Sequence, residues 1–100
     1  MPIRGKKQRF TDNNISNSPT DGGVYVLSRH GEDIYIGKGE GGSGIKSRLQ
    51  VAKRGDTRGV KTATSFQTER SKDPSKREKQ LLEQYKEKHG RLPRHNDRTG

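Results

Sequence analysis

The chain has 100 residues, of which only 22% are hydrophobic and 34% are charged, and its formal net charge is +10. This length forms one small domain with a thin core, and the excess positive charge points to an anionic partner: nucleic acid, an acidic protein or an anionic membrane surface. The absence of Cys excludes a disulfide scaffold and a thiolate metal site, and no apolar run is long enough for a membrane span.

The first half of the chain predicts a lead-in segment and a β-hairpin. Residues 1–20 are polar and basic without periodicity, which is typical of a flexible arm or linker ahead of a domain over residues 21–100. Apolar bursts then predict strands over residues 23–28 and 33–37, and "RHGED" between them suits a short hairpin loop with Gly31 at the turn.

The second half predicts two helices and one more strand. After the glycine-rich bend "GKGEGGSG", a helix is expected from about Ser43, as its cap, to Arg54. "VKTATSF", residues 60–66, favours a third strand, and residues 74–89 favour a helix that begins with Pro74 and is stopped by Gly90. The order β-β-α-β-α predicts a small α/β domain with a three-stranded sheet flanked by helices.

The glycine-rich bend has two explanations. Gly37, Gly39 and Gly42 satisfy the dinucleotide pattern G-x-G-x-x-G, but that pattern should follow the first strand of a βαβ unit, whereas here it follows the second strand of a hairpin. Glycines at these positions allow a sharp turn and a close approach of backbone amides to a phosphate.

The three histidines are scattered without metal-ligand spacing, although His95, close to Asn96, could face a site.

Glu78 lies within the apolar face of the second predicted helix. At about 100° per residue, Leu81, Leu82 and Tyr85 all fall within about 60° of it, whereas Glu83 faces away. A carboxylate on such a face needs a cationic side chain, a metal ion or an open edge. The alternative is structural, because Ser75-x-x-Glu78 matches a capping box.

Three other residues also have both a structural and a functional explanation. Arg48 flanks the apolar stripe of the first helix, where it could bury its stem and leave its head in water, or direct a guanidinium at a phosphate. Tyr25 and Tyr35 could serve strand packing alone. Together with a lysine and Glu78, however, they form the inventory for phosphodiester hydrolysis, in which one carboxylate and several waters hold Mg²⁺.

These residues resemble the GIY-YIG nuclease family over residues 23 to 96. Gly23-Val24-Tyr25 and Tyr35-Ile36-Gly37 match the two name-giving tripeptides, with Val for Ile in the first. "IKSRL", "REKQLLEQY" and "LPRHN" match the arginine helix, the glutamate helix and the closing asparagine element, in the family's order. Two departures are a longer segment ahead of Pro93 and the lack of a His or Tyr after "RL", where "QVA" stands.

The resemblance implies a metal-dependent endonuclease. It makes Tyr25 the general base, with Lys38 or the metal lowering its pKa, Tyr35 an orienting group and Arg48 the phosphate ligand. Glu78 would hold one Mg²⁺ or Mn²⁺ ion, and the products would be a 5′ phosphate and a 3′ hydroxyl. Substrate contacts are expected from the remaining candidate residues, which are Lys38, Gly37, Gly39, His95 and Asn96.

The biological setting is open to several interpretations. DNA with low sequence specificity is the expected substrate, ahead of RNA. A basic, Cys-free module resembles the toxin domains of bacterial polymorphic toxins, which implies an acidic immunity protein and action in the cytoplasm of a producing or target cell, with secretion as part of a larger effector. The alternatives are a repair, restriction or homing nuclease that lacks its targeting domain, a non-catalytic nucleic-acid-binding module, and a protein-interaction module.

Overall fold

A computed structural model describes residues 3–42, 44–55 and 60–96. The strands are β1 (Gln8–Arg9), β2 (Gly23–Arg29), β3 (Glu32–Gly39) and β4 (Ser65–Arg70), and the helices are α1 (Asp12–Ser16), α2 (Gly44–Arg54) and α3 (Pro74–His89), with a 3₁₀ turn at Val60–Thr62. The strands form one antiparallel sheet in the order β1-β4-β2-β3. The predicted α/β class and the hairpin are therefore present, but the sheet has four strands in place of three.

Helices cover both faces of this sheet. On one face, α1 and α2 enclose the larger cluster of buried residues, which includes Tyr25, Leu27, Leu49 and Phe66. On the other face, α3 contributes Leu81 and Tyr85 to a smaller cluster with Val24, Val26 and Ile36. Consecutive residues of β2 alternate between the two clusters, as the period of two in a strand requires. Among the described residues, no helix is both long and apolar enough to cross a membrane.

A bulge in the hairpin changes the face on which Ile34 lies. Leu27 pairs with Tyr35 but Ser28 pairs with Asp33, so Ile34 is an extra residue on β3. It is 2% exposed and joins the cluster under α2, whereas strict alternation would place it with Ile36 on the other face. The hairpin turn itself is tight: His30 and Gly31 both have positive φ, which is typical of a two-residue loop.

The lead-in segment is part of the fold, in contrast to the flexible arm expected over residues 1–20. β1 pairs with β4, and Phe10 packs edge-on against Phe66 with ring centroids 5.9 Å apart. Ile15 on α1 is 2% exposed. Among residues 3–20, which the structure describes, Phe10 and Ile15 are the only buried apolar side chains, too few to produce a periodic pattern, which is why this sequence resembles a linker.

The N-terminal segment also supports the start of α2. The amide of Ile45 donates to the carbonyl of Asp21, and the amide of Lys46 donates to that of Pro19. These bonds satisfy amides that a helix leaves unpaired in its first turn. Gly44 has φ +43°, and any side chain there would collide with the backbone of Asp21. Ser43, the expected cap, lies outside the described residues.

The third strand is displaced from its expected position. Val60 is buried at the start of the 3₁₀ turn, and β4 begins only at Ser65. β4 continues through Gln67, Glu69 and Arg70, polar residues that hide the strand in the sequence. By contrast, α3 spans the expected range, with Asp73 as its cap and Gly90 in the left-handed conformation after its last turn.

Candidate active site

Tyr25 and Tyr35 lie on the same face of the hairpin, with Gly37 between their rings. Tyr25 pairs directly with Gly37, and Tyr35 is two residues earlier on β3. The ring centroids are 6.1 Å apart with an interplanar angle of 40°. A Cβ on residue 37 would lie 2.5 Å from the Tyr25 hydroxyl and 2.8 Å from the Tyr35 ring. The missing side chain of Gly37 is therefore what allows the two phenols to pack together.

Arg48 reaches this pair from α2. Ile45, Leu49 and Ala52 anchor the helix on the sheet and are at most 3% exposed. Arg48 flanks them and is exposed, yet its guanidinium is near enough to the Tyr25 phenol to act on the pKa of that group. It is thus not simply directed into solvent beside the apolar stripe.

The pKa of the Tyr25 phenol is raised well above its usual value. Burial is the main cause, and the neighbouring Tyr35 adds to it. Arg48 acts in the opposite direction through its charge and its hydrogen bond, whereas the charge of Glu78 raises the pKa further. Among the groups that act on this pKa, Arg48 is the cation that favours the phenolate, and the lowering of the pKa by Lys38 or the metal stays a prediction.

Glu78 approaches the same group from α3. Asp73 caps this helix by accepting from the amide of Lys76, so Glu78 lies beyond the capping positions and the expected Ser75–Glu78 capping box does not form. The Glu78 carboxyl is half-buried, and burial raises its pKa although Lys38 and Arg48 oppose the shift. The nearby charge of Glu40 raises it further.

Lys38 is held between two neighbours. Its Nζ donates to Ser75 Oγ at 2.6 Å and lies 3.3 Å from Glu40 Oε1. The role of Ser75 on α3 was not anticipated from the sequence, which favoured it only as a cap. Glu40 was not anticipated either, although it is the only acidic residue in the glycine-rich bend. Lys38 therefore links the end of β3 to the first turn of the glutamate helix.

Asn96 binds the free edge of β3 through both ends of its amide. Its Oδ1 accepts from the amide of Ile36 at 2.7 Å, and its Nδ2 donates to the carbonyl of Ile36 at 2.9 Å. At Ile36, between Tyr35 and Gly37, these two hydrogen bonds take the place of those that a neighbouring strand would make.

Gly39 is closely packed against α2. A Cβ on residue 39 would lie 2.5–2.7 Å from the backbone of Gly44 and Ile45, so the absence of a side chain allows α2 to pack against β3.

His95 lies apart from these residues. Its amide donates to the carbonyl of Ile34 at 2.9 Å, and its side chain shares a groove with Arg29 and Arg94 near the hairpin turn. Burial lowers the pKa of His95, and Arg94 and Arg29 lower it further. The groups that act on it are those of the hairpin end, so the fold separates His95 from Tyr25 and Glu78.

The metal chemistry available here is that of a single carboxylate. Within the described ranges, no group of three or more His, Cys, Asp or Glu side chains could enclose a metal ion. Glu78 is nevertheless a half-buried carboxylate whose neighbouring cations do not offset the cost of burying its charge. One carboxylate completed by waters is an ordinary way to hold Mg²⁺, so the residue fits a divalent cation.

Comparison with known proteins gave structural matches only: no model of a known protein family and no curated protein matches the chain. Three solved structures of the GIY-YIG N-terminal endonuclease domain of UvrC from Thermotoga maritima are similar to it. Their TM-scores are 0.64, 0.63 and 0.64 at 25%, 23% and 24% identity. Each match covers 86% of this chain, and 93%, 99% and 93% of the solved chains.

The matched domains are described as bound to their catalytic divalent cation, which is magnesium in one of them; the other two are point mutants. The similarity extends over nearly the whole of each solved domain, so it concerns the complete architecture and not one shared motif. It confirms the small α/β fold that the motifs of this chain predicted.

Proposed function

We propose that the chain belongs to the GIY-YIG endonuclease family and that it hydrolyses phosphodiester bonds in DNA, with low sequence specificity and with a divalent metal ion. The observation that carries the proposal is the convergence of Tyr25, Arg48 and Glu78, from a strand and two helices, on one place in the fold. A module that only binds nucleic acid has no use for a half-buried carboxylate beside its phosphate ligand, because that charge repels the substrate.

Each residue is assigned a step in the reaction. Arg48 binds the scissile phosphate and supports the charge that develops on it. Tyr25 takes the proton of the attacking water as a phenolate, after its own phenol proton has passed to solvent, and Arg48 favours that phenolate. Glu78 would hold one Mg²⁺ or Mn²⁺ ion, which supplies positive charge at the leaving 3′ oxygen. The products are a 5′ phosphate and a 3′ hydroxyl.

The remaining residues position this group. Tyr35 orients the phosphate or the water from beside Tyr25. Lys38 holds the start of α3 through Ser75 and leaves Glu78 directed toward the site. Asn96 fixes the backbone of β3 next to Tyr35. We assign Gly37 and Gly39 to close packing, and His95 to a place outside the reacting group.

Plasmid cleavage tests the proposal. We expect nicking with Mg²⁺ or Mn²⁺ and none with EDTA. Arg48→Ala and Glu78→Gln should lower the rate at least about a hundredfold, since each removes charge stabilisation worth several kcal/mol. Glu83→Gln is the matched control, because it makes the same change on the exposed face of α3. Wild-type protein that shifts DNA in a gel but never nicks it would contradict the enzyme proposal.

The same assay separates the rival substrates and roles. Equal cleavage of unrelated sequences supports low specificity, whereas one preferred site favours a targeted nuclease. Single-stranded and double-stranded RNA, tested beside DNA at the same ionic strength, determine the preferred nucleic acid. If Glu78→Gln cleaves normally but melts at a lower temperature, its carboxylate has a structural role only.

We further propose that the domain acts as a bacterial toxin effector, in the cytoplasm of a producing or target cell. The support is its net charge of +10, which suits both DNA and an acidic immunity protein. Expression of wild type should be toxic, Glu78→Gln should be harmless, and an acidic product of a neighbouring gene should relieve the toxicity. Harmless expression of a folded protein that cleaves DNA in vitro would contradict this role.

A further inference from the structure

A basic groove of about 310 Å³ lies at the turn of the hairpin, outside the group of Tyr25, Arg48 and Glu78. Arg29 and His30 line it from the hairpin, and Arg94 and His95 line it from the C-terminal segment. Glu32 is the one acidic residue among its lining groups. The proposed catalytic steps use none of these side chains.

Glu32 organises the arginines of this groove. Arg94 Nη2 lies 3.3 Å and 3.4 Å from the two carboxylate oxygens of Glu32, and Arg91 Nη2 lies 3.8 Å from Oε2. A guanidinium has five N–H donors, so each arginine keeps donors for a further ligand. We call Arg29, Arg91 and Arg94 the hairpin-end cluster.

The hairpin-end cluster carries more positive charge than Glu32 offsets. It contains three guanidinium groups against this one carboxylate. Asp33, which follows Glu32 in the sequence, accepts from Ser28 Oγ at 2.7 Å and lines a cavity on the face of the sheet covered by α3. Burial lowers the pKa of His95, and the charges of Arg94 and Arg29 lower it further against the opposing charge of Glu32.

The C-terminal segment connects this cluster to the catalytic group. Arg94 contacts Glu32, the His95 amide donates to Ile34 and Asn96 binds Ile36, so residues 94 to 96 follow the free edge of β3 away from the turn and toward Tyr35. From Tyr35 to Glu32 is three residues, or about 10 Å along a strand. That length corresponds to about three nucleotides at 3.4 Å per step.

We propose that the hairpin-end cluster binds the phosphates of the DNA strand about three nucleotides from the bond that is cut. This inference rests on the proposed nuclease function, because it extends the same substrate along the β3 edge. Phosphate oxygens match both the planar donor fork of arginine and the charge of the groove.

The alternative is that these arginines pair with Glu32 only to hold the C-terminal segment. The two explanations differ for Glu32→Gln. If the cluster binds DNA, removing this carboxylate removes a repulsive charge and tightens binding. If the pairs are only structural, the same change loosens the segment and gives no gain in affinity.

The test measures binding of a labelled duplex by fluorescence anisotropy in EDTA, where no cleavage occurs. Arg29→Gln/Arg94→Gln should weaken binding and lower the slope of log K against log salt by about 2, one for each lost phosphate contact. Lys7→Gln/Arg9→Gln is the matched control: it also removes two positive charges, but at β1, the opposite edge of the sheet. Its slope should stay close to that of wild type.

Cleavage under Mg²⁺ completes the test. The Arg29/Arg94 double variant should raise KM and leave kcat at saturating DNA unchanged. Equal slopes for this variant and the Lys7/Arg9 control would overturn the inference while leaving the nuclease proposal intact. Wild-type protein that binds DNA but does not cleave it would instead contradict the proposed function, and melting temperatures show that each variant is folded.

Discussion

Gly37 stands directly across the hairpin from Tyr25, and a Cβ on residue 37 would lie 2.5 Å from both Cζ and the hydroxyl oxygen of that phenol. The second tripeptide of the motif thus ends in glycine for a steric reason. The first tripeptide has a comparable constraint, because a Cβ on Gly23 would collide with the backbone carbonyl of Glu69 on β4. Both glycines keep the sheet close-packed around the reacting phenol.

Gly37→Ala should therefore displace the tyrosines. The new methyl group meets rigid rings, and overpacking of this kind costs about 1–3 kcal/mol. We expect a lower melting temperature and a loss of cleavage that added Mg²⁺ does not restore. Gly42→Ala is the control, because a Cβ at residue 42 meets no atom within 4 Å. Equal stability and activity of the two variants would show that the rings can move aside.

Tyr25→Phe tests the assignment of the base. The ring would keep its packing, so the fold should persist while cleavage falls by about 10²- to 10⁴-fold, the usual contribution of a positioned acid or base. Tyr85→Phe is the matched control on the opposite face of the sheet, where the hydroxyl makes only a 3.5 Å contact with the Asp33 carbonyl. Cleavage by Tyr25→Phe close to the wild-type rate would reduce this phenol to a packing role.

Asn96→Ala should loosen the free edge of β3. Both backbone groups of Ile36 lose their partners, and two such bonds contribute about 1–3 kcal/mol together. We expect faster hydrogen exchange at the Ile36 amide, measured by NMR, together with a lower kcat. Unchanged exchange at this amide would show that Asn96 is not what protects the edge.

Stability should decline in acid through Glu69. Burial alone would raise the pKa of this carboxyl, but Arg77 and the Arg4 amide donate to it and hold the pKa below its ordinary value. A lowered pKa in the folded state means that the stabilisation is complete above the unfolded value of 4.5 and is lost as pH falls through the folded value.

Glu69→Gln makes this contribution measurable. We expect urea unfolding to give a smaller free energy than wild type at pH 7, and the two proteins to converge toward pH 3. The matched control is Glu87→Gln on the exposed surface of α3, which should keep the acid dependence of wild type. A constant difference between Glu69→Gln and wild type from pH 7 to pH 3 would contradict the assignment.

The sequence predicts local elements of this fold better than its long-range contacts. The span of α3 follows from Asp73, Pro74 and Gly90, each of which acts on its own turn. By contrast, β1 exists only because β4 lies beside it, and no pattern within two residues can reveal a partner found more than 50 positions later. The polar pattern of β4 has the same cause, since the buried Glu69 is paired with Arg77 of α3 and with the amide of Arg4, both distant in the sequence.

In the candidate site, too, the local features were predictable from the sequence and the long-range contacts were not. The motifs brought Tyr25, Arg48 and Glu78 to attention because each residue is unusual in its own strand or helix. The contact of Lys38 with Ser75 depends on how β3 and α3 pack, and the separation of His95 depends on the path of the C-terminal segment. The raised pKa of Tyr25 follows from burial, which no spacing of residues discloses.

The first turn of α2 is held by the carbonyls of Pro19 and Asp21, which belong to the segment ahead of β2. Proteolysis or fusion within that segment would therefore affect α2. A protease that cuts between Phe10 and Pro19 would separate the buried Phe10 from the two carbonyls that support α2. We expect this cut to loosen α2, the helix that carries Arg48. We therefore expect a cleavage site or fusion junction on the N-terminal side to preserve α2 only when it lies ahead of β1. If Arg48 binds phosphate as proposed, that binding depends on a segment at the other end of α2's supporting contacts, residues 10 to 21.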